Sequence, residues 1–387
     1  MTAAGPHGTG VMTQQEDRQM QQRVVVVGGG YGGVAVAKEL DDVADVVLVE
    51  PKDAFVHSVA SLRAVVDPQW QERVFYPYDG VLTRGRVVRD WARSVSRGVV
   101  RLSASDALEA DHIVLATGTA YPFPAKYLED DAAVAGSHLT RLRGALARCE
   151  SVLLVGGGPV GLELAGELTA AYPDLHVTVV DRAHDILTTG HFLPELRESV
   201  RTQLADRGVT FEVGAPLAFL PPFDTGTYGS FRVETMAGTA IEAQMWFRCY
   251  GSRPMTDYLD QELGGHRHYD GTIPVTEHLN VVGQDRVWAV GDITDVRESK
   301  RATAARDHAT VVVQNIRDVI AGGTPTATYS PAPEVIVLPL GPEGGASQVA
   351  APDGSWTVLG PAQTREIKGA DLFSSAMADL FGMTRGS

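Results

Sequence analysis

Two cysteines in 387 residues, Cys149 and Cys249, share no CxxC or other paired spacing. That scarcity argues against a disulfide framework, a zinc site, an iron–sulfur cluster and a dithiol electron relay, so no metal is expected. Positive charge is also short. Lys and Arg number 33 against 48 Asp and Glu, a net charge of −15, which excludes a nucleic-acid partner and an electrostatic grip on anionic lipid. Only Lys38, Lys52, Lys126, Lys300 and Lys368 are lysines, so each stands out. No apolar run reaches the length of a membrane span. Residues 1–22 are rich in Gly, Thr and Gln and lack the apolar stretch of a signal peptide. They read as a disordered leader on a cytoplasmic protein. Met1-Thr2 also lacks the glycine that myristoylation requires.

What remains is a soluble globular chain, 44% apolar and 21% charged, long enough for two to three domains. Val24 to Val27 is a short, wholly apolar run suited to a buried parallel strand. It enters Gly28-Gly29-Gly30-Tyr31-Gly32-Gly33, a helical stretch, and a second apolar strand ending on Glu50. The unit recurs: Val152 to Val155, then Gly156-Gly157-Gly158-Pro159-Val160-Gly161, a helix, and a strand ending on Asp181. Each GxGxxG thus follows a strand, opens a helix and is answered by an acidic residue at the next strand end, the context that makes the motif specific. Gly28 and Gly156 make the tight turn, Gly30 and Gly158 admit a pyrophosphate, and Gly33 and Gly161 let helix and strand pack closely. The anion rests on the helix N-terminus, and Glu50 or Asp181 accepts hydrogen bonds from a ribose. Asp181 favours NADH, while the adjacent Arg182 is how such sites accept NADPH.

The expected fold is α/β. A discontinuous first dinucleotide-binding domain spans 23–125 and 265–330, a second one inserted in it spans 126–264, and a small C-terminal α+β domain spans 331–387. Leu372, Phe373, Ala376, Met377, Leu380 and Phe381 are spaced to share one face of a terminal helix, with Ser374, Ser375 and Asp379 opposite. That face reads either as packing or as a lid with weak, reversible membrane contact.

Gly291-Asp292, between a strand and a helix, resembles the second FAD motif of flavoproteins with two dinucleotide-binding folds. The likeness implies FAD in the first fold and NAD(P)H in the second. Asp292 would hold the ribityl chain, and the helix start from Ala302 would face the flavin pyrimidine. More specifically, the segment from Glu50 to Val65, Ala116-Thr117-Gly118 with Pro122 to Lys126, Gly161-Leu162-Glu163, and Lys368 to Phe373 resemble the AIF-like, mitochondrion-associated family of ferroptosis suppressors. The likeness runs over residues 23–375, and type II NADH dehydrogenases are more distant relatives.

The family resemblance implies an FAD-dependent NAD(P)H:quinone oxidoreductase. Glu163, Lys368 and Phe373 would serve the acceptor. FAD would be held by the first glycine loop with Tyr31 and Gly32, and by Glu50, Lys52, Arg63, Val88, Ala116, Thr117, Gly118, Gly291, Asp292, Lys300 and Ala302. NAD(P)H would be held by Gly156, Gly158, Pro159, Val160, Gly161, Asp181 and Gly251. His57 and His308 match family histidines and read as structural. Cys249-Tyr250-Gly251 stands where relatives have Thr-Gly. Two other readings share these motifs, a tailoring flavoenzyme acting on a quinone-like intermediate and an AIF-like NADH-binding protein with weak turnover. Monomer and homodimer both remain open.

Overall fold

The computed structural model describes residues 21–351 and 353–383. Most of the expected leader, residues 1–20, lies outside the described residues, but the carbonyl of Gln22 already accepts the Asp45 N–H at 3.0 Å.

Strand β1 (Arg23–Val27) is an arginine followed by four valines. Its alternation sends Val24 and Val26 into one core with Val34 and Val46, and Val25 and Val27 into another with Val47 and Val49. A strand apolar on both faces needs cover on both, which a parallel sheet between two layers supplies. The chain continues through α1 (Tyr31–Leu40), β2 (Asp45–Val49), α2 (Ser58–Ala64), β3 (Arg86–Val88) and β4 (His112–Leu115).

It then crosses into a second unit, β5 (Ser151–Val155), α3 (Pro159–Ala171), β6 (His176–Asp181), β7 (Thr210–Val213) and β8 (Met245–Arg248). These strands pair in parallel in the order β7-β6-β5-β8. The outward and return crossings run side by side, Thr119–Ala120 pairing antiparallel with Arg253–Pro254.

On its return the chain adds β9 (Val287–Ala289) to the first sheet, giving the parallel order β9-β4-β1-β2-β3. Helix α4 (Ala302–Ile320) packs against α1. Gly32 permits the approach: a Cβ there would stand 2.9 Å from the Val290 side chain and 3.0 Å from the Ala305 carbonyl oxygen. Strands β10 (Ile336–Leu340), β11 (Gly344–Ala350) and β12 (Trp356–Leu359) form an antiparallel sheet, and α5 (Ser374–Leu380) follows.

This last segment touches both units. The β10 backbone lies on α3 at Gly166, where a Cβ would be 2.4 Å from Leu340 Cα. At the other end, Phe381 packs at ring distances of 5.1 Å from Phe55 and 5.5 Å from Tyr76. The fold is therefore α/β, two dinucleotide-binding units with the second inserted in the first, plus a small C-terminal α+β unit.

Candidate active site

The two glycine loops have the same steric design. Gly28 takes φ +104°, and a Cβ on it would meet the Ala116 carbonyl oxygen at 2.6 Å. On Gly33 a Cβ would stand 1.9 Å from the Gly28 oxygen. In the second loop Gly156, at φ +120°, meets Cys249 O at 2.6 Å, and Gly161 meets Gly156 O at 2.0 Å. Gly30 and Gly158 differ from these: nothing lies within 4 Å of a Cβ on either. Each is the N-cap of its helix, extended, with no side chain capping the free N–H groups. Two uncapped helix N-termini facing open space fit the pyrophosphates of two dinucleotides.

The acidic residues at the strand ends fix the loops. Glu50 accepts from Gly29 N–H at 2.6 Å and from Lys52 N–H at 3.1 Å, and Asp181 accepts from Gly157 N–H at 2.6 Å and Ala183 N–H at 2.8 Å. Burial raises the Glu50 pKa, and the two N–H groups oppose it. Lys52 Nζ donates to the Glu129 carbonyl, and the Val88 carbonyl accepts from Glu50 N–H. Tyr31 opens α1, and its hydroxyl bonds His57 Nδ1 at 2.8 Å.

Around Asp292 a second cluster forms. Its carboxylate accepts from Thr119 Oγ1 at 2.8 Å and lies 3.4 Å from Lys126 Nζ. Lys300 Nζ closes the loop before α4 by donating to the carbonyls of Thr294 and Val296. Thr117 Oγ1 donates to Met255 O, and Gly118 turns the chain at φ +61°. Gly291 N–H donates to His308 Nδ1 at 3.0 Å, and His308 Nε2 lies 2.8 Å from Glu298. Tyr329 in turn donates to Glu298 at 2.6 Å. In the second unit Pro159 occupies the first turn of α3, Val160 is half-buried beside it, and Gly251 takes φ +95° next to the Arg248 guanidinium.

Glu163 and Lys368, 205 residues apart, meet: Lys368 Nζ donates to Glu163 Oε1 at 2.7 Å and to Val337 O at 3.3 Å. Both side chains are partly screened, 19% and 15% exposed. One turn along α3, Glu167 is buried and takes both oxygens to Arg63 Nε, at 3.0 and 3.2 Å. Arg63 Nη1 also donates to Gly369 O at 2.5 Å, and its guanidinium lies 4.8 Å from the Trp70 ring centre. Arg63 is buried at 3% exposure, as Glu50 and Ala116, also assigned to FAD by resemblance, are at 8%.

The terminal helix departs from its expected pattern. Leu372 and Phe373 lie outside it with φ of 49° and 60°, so the helical spacing does not run through them. Ser374 is buried while Ala376 and Phe373 are exposed, the reverse of the predicted faces. The cause is local: His57 Nε2 donates to Leu372 O at 2.7 Å and Tyr76 O–H to Ser374 O at 3.1 Å, pinning the chain before the helix starts.

Burial pushes the Cys149 thiol up to about 11 and Cys249 to about 12, so neither is an activated nucleophile. Among the described residues no His, Cys, Asp or Glu group fits a metal ion, and no helix is long and apolar enough to cross a membrane. Sequence reasoning missed Glu167, Glu298 and Tyr329. For Glu167 a signal existed, a second carboxylate at i+4 from Glu163 in an otherwise apolar helix.

Comparisons with known proteins agree with this architecture. Residues 78–309 match the family model described as pyridine nucleotide-disulphide oxidoreductase. The chain is 31% identical over 360 residues to ferroptosis suppressor protein 1 of Homo sapiens, covering 91% of this chain and 94% of that protein. It is 28% identical over 347 residues to apoptosis-inducing factor homolog A of Dictyostelium discoideum, covering 85% of each. Among solved structures, a NAD-dependent persulfide reductase from A. fulgidus matches with a TM-score of 0.69 at 19% identity, over 85% of this chain and 64% of that one; that likeness speaks to the fold. With two glycine-capped helix N-termini free of side-chain caps, the chain belongs to the pyridine nucleotide-disulphide oxidoreductase family and to that of ferroptosis suppressor protein 1, as an FAD-dependent enzyme that draws electrons from NAD(P)H.

Proposed function

We propose that the chain reduces a small quinone-type acceptor, and that Glu163 and Lys368 handle the acceptor oxygen. FAD, held by the first glycine loop with Glu50 and Asp292, supplies the two-electron carrier between NAD(P)H and the acceptor. The observation that carries the reading is the Glu163–Lys368 contact of 2.7 Å at the seam of the second unit and the C-terminal segment. Reducing a quinone puts negative charge on a carbonyl oxygen, which a fixed cation stabilises in a screened site. An ammonium has three N–H donors; Glu163 and Val337 take two and hold the third in place. The balance is NAD(P)H plus a proton plus quinone giving NAD(P)+ plus hydroquinone, with the proton reaching the oxygen along Lys368.

NADH is the preferred donor in this reading. The Asp181 carboxylate keeps lone pairs free for the ribose hydroxyls and repels a 2′-phosphate, although the exposed Arg182 beside it tolerates one. The acceptor is met in the cytoplasm or at the membrane surface without a span. In stopped-flow work, Lys368→Met should leave flavin reduction by NADH near normal and slow reoxidation by a water-soluble naphthoquinone. Equal reoxidation in variant and wild type would overturn the quinone reading of this pair.

A further inference from the structure

Helix α3 offers Lys368 two carboxylates, Glu163 and Glu167, on the same face and one turn apart. In the structure only Glu163 takes it. Glu167 is turned to Arg63, which comes from α2 of the first unit and is itself buried. The same guanidinium donates to the carbonyl of Gly369, the residue after Lys368, so Glu167 and the lysine's own turn lie within the span of one side chain. That turn is a π-helical stretch, Arg365–Gly369, an irregularity common at functional sites.

We infer that Arg63 is a positioning residue that sets the partner choice of Lys368: by neutralising Glu167 it leaves Glu163 as the carboxylate open to the lysine. This rests on the reading that Lys368 serves the acceptor. It also gives Arg63 a task apart from holding the flavin, with Nε on Glu167, Nη1 on the Gly369 carbonyl and the guanidinium over Trp70. Without Arg63, the buried Glu167 would be an uncompensated charge, and Lys368 belongs to the turn that Arg63 anchors through the Gly369 carbonyl. The lysine would swing to Glu167 and leave the acceptor site.

The test compares Arg63→Met, Arg63→Lys, the double variant Arg63→Met/Glu167→Met, and Lys368→Met, each as the FAD-loaded protein. Arg63→Met should keep its flavin absorbance per chain and its reduction by NADH. Its reoxidation by a soluble naphthoquinone should fall by about 100-fold, the scale of a misplaced reacting group. Its crystal structure should show Lys368 Nζ on Glu167. Arg63→Lys, which keeps the neutralising charge, and the double variant, which removes the competing carboxylate, should both reoxidise near the wild-type rate even where Tm is lower. A merely structural role predicts the opposite, reoxidation falling in step with Tm in all three. Loss of flavin in Arg63→Lys and in the double variant would overturn the separation of Arg63 from FAD. Should Arg63→Met not fold, those two variants decide: slow reoxidation in both sinks the inference. If Lys368→Met reoxidises normally, the reading of the acceptor site fails. If it is slow while Arg63→Met is fast with Lys368 still on Glu163, only the inference about Arg63 fails.

Discussion

The two glycine loops of this chain share their steric skeleton to within a few tenths of an ångström, yet they are finished differently. At the first loop, Tyr78 O–H donates to the Gly29 carbonyl at 2.7 Å and presses on the loop, so that a Cβ on Gly29 would lie 2.5 Å from it. Glu50 is 8% exposed and Tyr31 is tied to His57. The second loop has no such cover. Asp181 is half-buried, Arg182 is exposed, and the nearest side-chain atom to a Cβ on Gly157 is Ile186 at 3.3 Å. A closed socket suits a group that stays through many turnovers, and an open one suits a coenzyme that must leave after each. With FAD in the first loop and NAD(P)H in the second, as proposed, the repeat would encode one recognition device used at two exchange rates.

The sharpest way to break that comparison is to fill the open glycines. Gly30→Val and Gly158→Val meet no protein atom within 4 Å of the new Cβ, and both positions are extended, so each chain should fold. Gly30→Val should purify colourless. Gly158→Val should purify yellow and fail to be bleached by NADH under anaerobic conditions. Yellow protein from the first, or normal bleaching in the second, reverses the assignment of the loops.

A smaller effect should come from acid, and it should strike the first loop. Burial lowers the pKa of His57 to about 4, against 6.5 when unfolded. Because the folded value is the lower one, the contribution is fully present above pH 6.5 and is lost as pH falls toward 4. The 2.5-unit gap corresponds to about 3 kcal/mol at 1.36 kcal/mol per unit. His112, also buried and lowered to about 4, adds a slope of the same sign. Urea unfolding between pH 4 and 7 should show a loss of stability that His57→Gln makes shallower. Flavin should be released before NADH binding fails, because among the described residues no histidine hydrogen-bonds the second loop in the same way. An unchanged slope in the variant would count against the role given to His57.

Asp181→Ala should raise KM for NADH by the equivalent of about 1–3 kcal/mol and narrow its lead over NADPH, since a charged contact to the ribose is lost. Wild-type preference for NADPH would show that Arg182, not Asp181, governs the second loop. The smallest change is expected from Cys149→Ser with Cys249→Ser, both thiols being held protonated. Turnover should hold; a folded but inactive double variant would revive a thiol mechanism.

The parallel strands, both glycine loops and their acidic strand ends were legible because each is a local signal: an apolar run, a φ that only glycine tolerates, a carboxylate at a fixed spacing. The residue types at Glu163 and Lys368 could be singled out, but not their contact, which depends on a C-terminal sheet packing on α3 at Gly166. Arg63 was drawn toward the flavin by resemblance. Its hydrogen-bond partners in the structure, Glu167 and Gly369, lie 104 and 306 residues away and left no periodic trace. The terminal helix misled for a different reason. Its apolar spacing is real over Met377 to Phe381, but side-chain hydrogen bonds from His57 and Tyr76 to the backbone carbonyls override it at Leu372 and Ser374.

The last segment of the chain completes the first unit's core, with Phe381 lodged among Phe55, Tyr76 and Tyr78, and Met377 and Ala378 buried alongside. A ribosome delivers residue 23 long before residue 381. Both units wait in part on the far end of the chain, the first for Met377, Ala378 and Phe381 and the second for Leu338, Leu340 and Ala346, but the inserted unit already has all its sheet strands once residue 248 has emerged. The inserted unit should consequently fold first during synthesis and the flavin-binding unit last. A carboxy-terminal tag that hinders residues 372–381 should lower the yield of yellow protein without disturbing the nucleotide fold made earlier.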